Sequence, residues 1–119
     1  MKHNFKNLEI WKRSRTLVKD IYQLTNGFAK EEKFGLIGQM RRAAISITSN
    51  IAEGCGRRSE KELIQFLSVS VGSLCELETQ LYLATDLKFT SIHFIQSHLD
   101  EINEIRSMIR GFSNKLSQS

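Results

Sequence analysis

The residues in this sequence that can do chemistry are mostly cations. Gly54-Cys55-Gly56-Arg57-Arg58-Ser59 sets two guanidiniums in a glycine-flanked turn ahead of a helix start. Free backbone amides at a helix N-terminus, with arginine forks beside them, are the parts of a phosphate site. The same string also reads as a helix C-cap followed by an N-cap, with both arginines in water. A second group, Lys12, Arg15 and Lys19, falls at steps of three and four and shares one helical face, with Arg13 beside it. Such a stripe either tracks a phosphate backbone or is the wet side of a helix. Arg41 and Arg42 add two more cations. No exposed aromatic ladder is expected beside these residues, so stacking on single-stranded bases is not expected either.

The other reactive side chains stand apart. His93 and His98 are five residues apart, the wrong spacing for one helical face, and His3 sits near the chain start. No His-x-x-x-His or Glu-x-x-His ligand pair occurs, so no metal is expected. There is no Gly-x-Ser-x-Gly elbow and no Walker loop. Ser46 and Cys75 have no histidine nearby in sequence to activate them. The expectation is a protein without cofactor or catalytic residues, one that binds and does not react. Cys55 and Cys75 fall on consecutive helices, offset by about 14 residues or roughly 20 Å of helical rise. That exceeds disulfide reach, so reduced, semi-buried thiols in a cytoplasmic protein are expected. The first six residues are followed by no apolar run, so no signal peptide is expected, and no segment reaches the length of a membrane span.

The positioning elements are four helices in a single domain. The chain has 119 residues and no proline, so long helices can run without a kink. The first helix spans about 8–25, with Leu8, Trp11, Val18, Ile21 and Tyr22 as its apolar stripe and Leu17 and Leu24 beside it. Asn26-Gly27 ends it through a left-handed C′ residue, and Glu31 and Glu32 favour the next helix start. The second spans about 35–55 on Leu36, Met40, Ala43, Ala44, Ile47 and Ile51, with Gly56 as its C′ residue. The third spans about 60–87, opened by a Ser59/Glu62 capping box in which each side chain meets the other's amide. Its stripe is Leu63, Phe66, Leu67, Ser70, Leu74, Leu77, Leu81 and Ala84. The fourth spans about 92–116, capped by Thr90 or Ser91, with Ile92, Ile95, Leu99, Ile102, Ile105 or Arg106, Ile109, Phe112 and Leu116 as its stripe. Short connections make neighbours antiparallel, so the fold class is all-α, an up-down-up-down four-helix bundle.

Two of these helices carry a second organised face. Gln39, Arg42, Ser46, Asn50, Glu53 and Arg57 form a polar stripe beside the core face of the second helix, with Ile45 and Ala52 on a third side. Glu62, Ser73, Glu76 and Gln80 do the same on the third, with Ile64, Val71, Cys75 and Tyr82 on the far flank. A monomeric bundle needs only one apolar stripe per helix. The surplus points to self-association, and Gln39, Ser46, Asn50, Glu53, Ser73 and Glu76 are the candidates for an oligomer contact or buried polar seam. Glu53, Glu76 and Glu78 are expected to pair with Arg41, Arg42, Arg57 or Arg58.

Charge is distributed unevenly. Residues 1–61 carry thirteen Lys/Arg against six Asp/Glu, or +7, and residues 62–119 carry four against seven, or −3. A basic half invites an acidic partner such as RNA or DNA. It can equally attract the acidic half, within a chain or between copies.

The run Leu36-x-x-Gln39-Met40-Arg41-Arg42-Ala43-Ala44-x-Ser46-Ile47-x-x-Asn50-Ile51-Ala52-Glu53-Gly54-x-Gly56-Arg57 resembles the signature of the four-helix bundle proteins encoded in intervening sequences of bacterial large-subunit ribosomal RNA genes. The match continues through Glu62, Phe66-Leu67, Gly72-Ser73-Leu74, Glu76-Leu77-Glu78 and Leu81, and at the start through Phe5-x-x-Leu8-x-x-Trp11 and Ile21-Tyr22. The departures are Ile37 where the family commonly has Thr, Ser14 where it has Ala, and Lys88-Phe89 where it has Gly-Tyr. The resemblance implies a four-helix bundle that forms a ring-like homopentamer. It also implies RNA or other nucleic acid as partner, and the related retroelement accessory proteins assist a reverse transcriptase; the alternative reading is a scaffold that docks on a protein partner such as a polymerase. It carries no catalytic residues.

Overall fold

A computed structural model describes residues 3–29 and 35–118. After a 3-10 turn at Phe5–Asn7 come α1 (Glu9–Thr25), α2 (Leu36–Cys55), α3 (Glu60–Asp86) and α4 (Ile92–Ser117). Each helix packs on the next and α4 returns to α1, with no diagonal contact among the described residues. The fold is therefore an all-α four-helix bundle. It measures 46 × 23 × 20 Å, a rod whose length is set by the 27 residues of α3, about 40 Å at helical rise. Glu31 and Glu32 lie outside the described residues.

α2 and α3 pack most closely, and small side chains allow it. Gly54 is buried on α2, and a Cβ there would sit 2.8 Å from Phe66 Cβ and 2.9 Å from Leu63 Cδ1. Further along the same contact, Ser70 Oγ donates to the Ile47 carbonyl at 3.0 Å and Ser73 Oγ to Ser46 Oγ at 2.9 Å. Asn50 Nδ2 donates to the Ser46 carbonyl at 2.8 Å and to its Oγ at 3.0 Å. The hydroxyls are thus satisfied where the backbones come together, and burying them costs little. Around this contact Met40, Ala44, Ile47, Ile51, Leu63, Leu67, Leu74, Leu77 and Leu81 are sealed from solvent, with Ile95, Ile102, Ile105 and Ile109 from α4. Ile105 takes the core position, and Arg106 stands at the rim.

α1 turns differently from its apolar pattern. Its buried face is Ile10, Ser14, Leu17, Ile21 and Thr25. Leu8, Trp11 and Val18 are half-buried and Tyr22 is exposed. The pattern misled because two core positions are polar. Ser14 Oγ donates to the Trp11 carbonyl at 2.9 Å and Thr25 Oγ1 to the Ile21 carbonyl at 2.8 Å, so neither hydroxyl is left unpaired.

Helix ends also depart from expectation. Asn26 and Gly56 keep right-handed φ of −60° and −85°, and no described glycine has positive φ. The left-handed residue is Lys88, at φ 64°. Phe89 N donates to the Ala84 carbonyl at 2.9 Å and Lys88 N to the Thr85 carbonyl at 3.0 Å, the paired bonds of a Schellman cap. Phe89 then packs on Phe28 with ring centroids 5.7 Å apart, closing that end of the bundle. At α3, Glu62 N donates to Ser59 Oγ at 3.1 Å, but the Glu62 carboxylate meets the Ser59 hydroxyl at 3.4 Å and not its amide. Half of the capping box forms.

Gly54→Ala gains about 1 kcal/mol of helix propensity and meets an overpacking cost of about 1–3 kcal/mol against Phe66 Cβ, which has no free end to swing away. The expected net is a destabilised protein, read in a denaturant melt. Lys88→Gly removes a left-handed strain of about 1–2 kcal/mol, so a thermal melt should shift upward by a few degrees.

Candidate nucleic-acid interface

The predicted cations divide into two groups. Lys12, Arg15, Lys19, Arg42, Arg57 and Arg58 are exposed. Among the described residues their ion pairs are weak surface ones, Lys12 with Glu9 at 3.6 Å and Arg57 with Glu53 at 3.9 Å. Arg41 is different. Its Nε donates to Thr25 Oγ1 at 2.9 Å, and its Nη2 donates to Asn26 Oδ1 at 2.9 Å and the Tyr22 carbonyl at 3.4 Å. The guanidinium caps the C-terminus of α1, where a cation offsets the helix dipole. These bonds tie Arg41 to the fold.

Antiparallel packing brings the start of α1 and the α2–α3 turn to the same end of the rod, so Lys12 shares that end with Arg57, Arg58 and Lys61. The turn runs from the last residues of α2 into the Ser59 cap of α3, and Arg57 lies over the Phe66 ring at 4.6 Å. This fixes the guanidinium plane along α3 while leaving its edge in solvent. Arg15 lies over Trp11 at 4.8 Å and Arg41 over Tyr22 at 4.3 Å. The rotation of α1 thus places Trp11 and Tyr22 under arginines along the α1–α2 groove, where the sequence pattern had them in the core. Polar residues spaced at four and seven from Ile10 and Ile21 are the signal for that rotation.

Two other arginines clasp α4. Arg13 binds Glu101 through both forks, reaches Glu104 at 3.6 Å and touches Met108 Sδ at 3.2 Å. Its hydrogen bond to Glu101 raises its pKa above the ordinary arginine value. Arg106 donates to Glu78 at 2.8 Å and lies 3.5 Å from Cys75 Sγ, and the bond to Glu78 raises its pKa likewise. Glu78 thus pairs with Arg106 and not with the α2 arginines, and Glu76 is exposed with no ion pair among the described residues.

Of the polar seam candidates, Ser46, Asn50 and Ser73 meet inside the chain, joined by Ser70, which the sequence pattern placed among core residues. Gln39, Glu53 and Glu76 stay exposed along the same edge. Ile64 and Val71 are half-buried beside α4, so part of the far flank of α3 is covered within the chain. Both cysteines are free. Cys55 is buried, which pushes its thiol pKa up, whereas Cys75 is exposed and not semi-buried.

Among the described residues no helix is long and apolar enough to cross a membrane. A family model described as 23S rRNA-intervening sequence protein matches residues 6–111. No curated protein matches the chain.

Because a raised pKa leaves less thiolate at neutral pH, Cys55 should resist iodoacetamide in the folded protein while Cys75 reacts first. Peptide mass mapping before and after denaturation reads the order.

Proposed function

The chain belongs to the 23S rRNA-intervening sequence protein family, and on that premise we propose that it is a non-enzymatic, homo-oligomeric, cytoplasmic protein that binds RNA through phosphate contacts. The observation that carries this reading is the set of exposed cations with weak intramolecular partners, Lys12, Arg15, Lys19, Arg42, Arg57 and Arg58. Such side chains release counterions when they meet phosphate, and the resulting affinity is salt-dependent and independent of sequence. Self-association multiplies the effect. The chain carries +4, so a ring of five copies, the assembly the family resemblance implies, carries about +20. The reading without catalysis is supported by how the candidate nucleophiles are used: Ser46 is engaged by Ser73 and Asn50, and the neighbour of Cys75 Sγ is a guanidinium, which cannot act as a base.

A protein-docking scaffold is the second reading, favoured by large apolar side chains left in solvent on α3 and at the start of α4, Phe94 the most exposed among them. Recovery of one stoichiometric protein from nuclease-treated lysate, without RNA binding, supports it over the first.

Replacing Arg57 and Arg58 together by alanine should weaken RNA binding and flatten the plot of log K against log salt by about 1.5–2, roughly two phosphate contacts. A slope equal to that of the unsubstituted protein removes these arginines from the interface.

A further inference from the structure

The groove between α1 and α2 holds more than charge. At its middle it opens to a volume of about 240 Å³, lined by Arg15, Val18, Ile45, Thr48 and Ser49. Val18 is half-buried and Ile45 is 43% exposed, so each helix gives the groove an apolar wall that meets solvent. Arg15 lies over the Trp11 ring at 4.8 Å, and among the described residues it makes no hydrogen bond or ion pair. The indole holds one face of the guanidinium, and the other face is left to solvent. Thr48 Oγ1 is buried in the groove wall without a hydrogen-bond partner, and the Ser49 hydroxyl has none among the described residues.

No acidic residue falls on this side of either helix: Glu9 and Asp20 lie on the opposite flank of α1, and Glu53 lies on the α3 side of α2. Lys19 stands one turn along from Arg15. The ligand that fits is an anion with a flat, weakly polar body. A nucleotide is built that way: its base stacks on an arginine plane between apolar walls, hydroxyls meet the base edge, and cations outside meet its phosphates. In a duplex the base is stacked and paired, so only an unpaired nucleotide can enter. Arg15 comes six residues after Glu9, the first of α1, or about 9 Å along the axis. That is the end of the rod that carries Lys12, Arg57 and Arg58, so a strand held there by its phosphates reaches the groove within a few nucleotides.

We propose that the α1–α2 groove takes one unpaired base of the bound RNA, stacked on the outer face of the Arg15 guanidinium between Val18 and Ile45, with Thr48 and Ser49 at its hydrogen-bonding edge. This rests on the RNA reading above and adds a preference to it. Phosphate contacts hold any RNA, and the groove selects RNA with a bulged or looped nucleotide beside the phosphates that are held. The platform is a guanidinium and not a bare ring, so a base can stack here without an exposed aromatic ladder.

The test titrates the full chain, freed of nucleic acid, with two RNA hairpins of equal length and charge. One has a fully paired stem and the other a single bulged 2-aminopurine. The bulged hairpin should bind roughly tenfold tighter. Trp11 is the sole tryptophan, so protein emission should change with the bulged hairpin and not with the paired one. Arg15→Lys keeps the charge and loses the plane, so the preference should vanish while the salt slope stays the same. Ile45→Ser, which changes no charge, should weaken the preference, whereas replacing Arg57 and Arg58 by alanine should flatten the slope and keep it. Equal, salt-dependent affinity for the two hairpins overturns the base site and leaves the RNA reading standing. A preference that survives both Arg15→Lys and Ile45→Ser overturns the base site as well. Binding of neither hairpin overturns both readings.

Discussion

The close approach of α2 and α3 is the constraint from which the rest of the molecule follows. At Gly54 the space between the helices is too small for a methyl group, and the neighbouring contacts use Ser46, Ser70 and Ser73 in place of larger side chains. Small residues alone would leave polar atoms orphaned, and the bonds among Ser46, Asn50 and Ser73 and from Ser70 to the Ile47 carbonyl prevent that. With this pair fixed, Met40, Ile47 and Ile51 meet Leu67, Leu74 and Leu77 in one sealed layer, against which α1 and α4 lie. The same approach sets the height of the α2–α3 turn, and so the place at which Arg57 and Arg58 leave the bundle.

Charged side chains clasp the two outer helices in addition to their apolar burial. α1 buries two hydroxyls, Ser14 and Thr25, on its core face beside Ile10, Leu17 and Ile21. Its seat is secured by Arg13 on Glu101 and Glu104, and by Arg41 across its C-terminus. α4 is held a second time by Arg106 on Glu78. Of these clasps only that of Arg13 joins the basic first half of the chain to the acidic second half, so a small part of the charge asymmetry is neutralised within the bundle. Lys12, Arg15, Lys19, Arg42, Arg57 and Arg58 are among the cations that stay exposed.

Much of the fold was legible in the sequence because α2, α3 and α4 obey one rule, apolar residues at steps of three and four with a serine or glycine at the boundary. Their ends fall within a residue or two of those read from the pattern. α1 broke the rule because Ser14 and Thr25 satisfy themselves against their own helix, something a hydrophobic period does not see. The left-handed cap was missed because a lysine occupies it, held there by two backbone bonds and by the Phe89–Phe28 contact. In the candidate site the cations were legible one by one, yet their division was not. Whether an arginine caps a helix, clasps a neighbour or faces solvent depends on partners that are 15 to 95 residues away. The Trp11 and Tyr22 platforms were hidden for the same reason that α1 was misturned.

The account reduces to one claim, that the unspent cations exist to meet phosphate. Its most direct test is the affinity of the purified, nuclease-treated chain for a fluorescent structured RNA, measured across a salt series. The account predicts binding that is tight at low salt and falls steeply and log-linearly as salt rises. Absence of binding at low salt contradicts it and leaves the exposed basic charge to assembly alone.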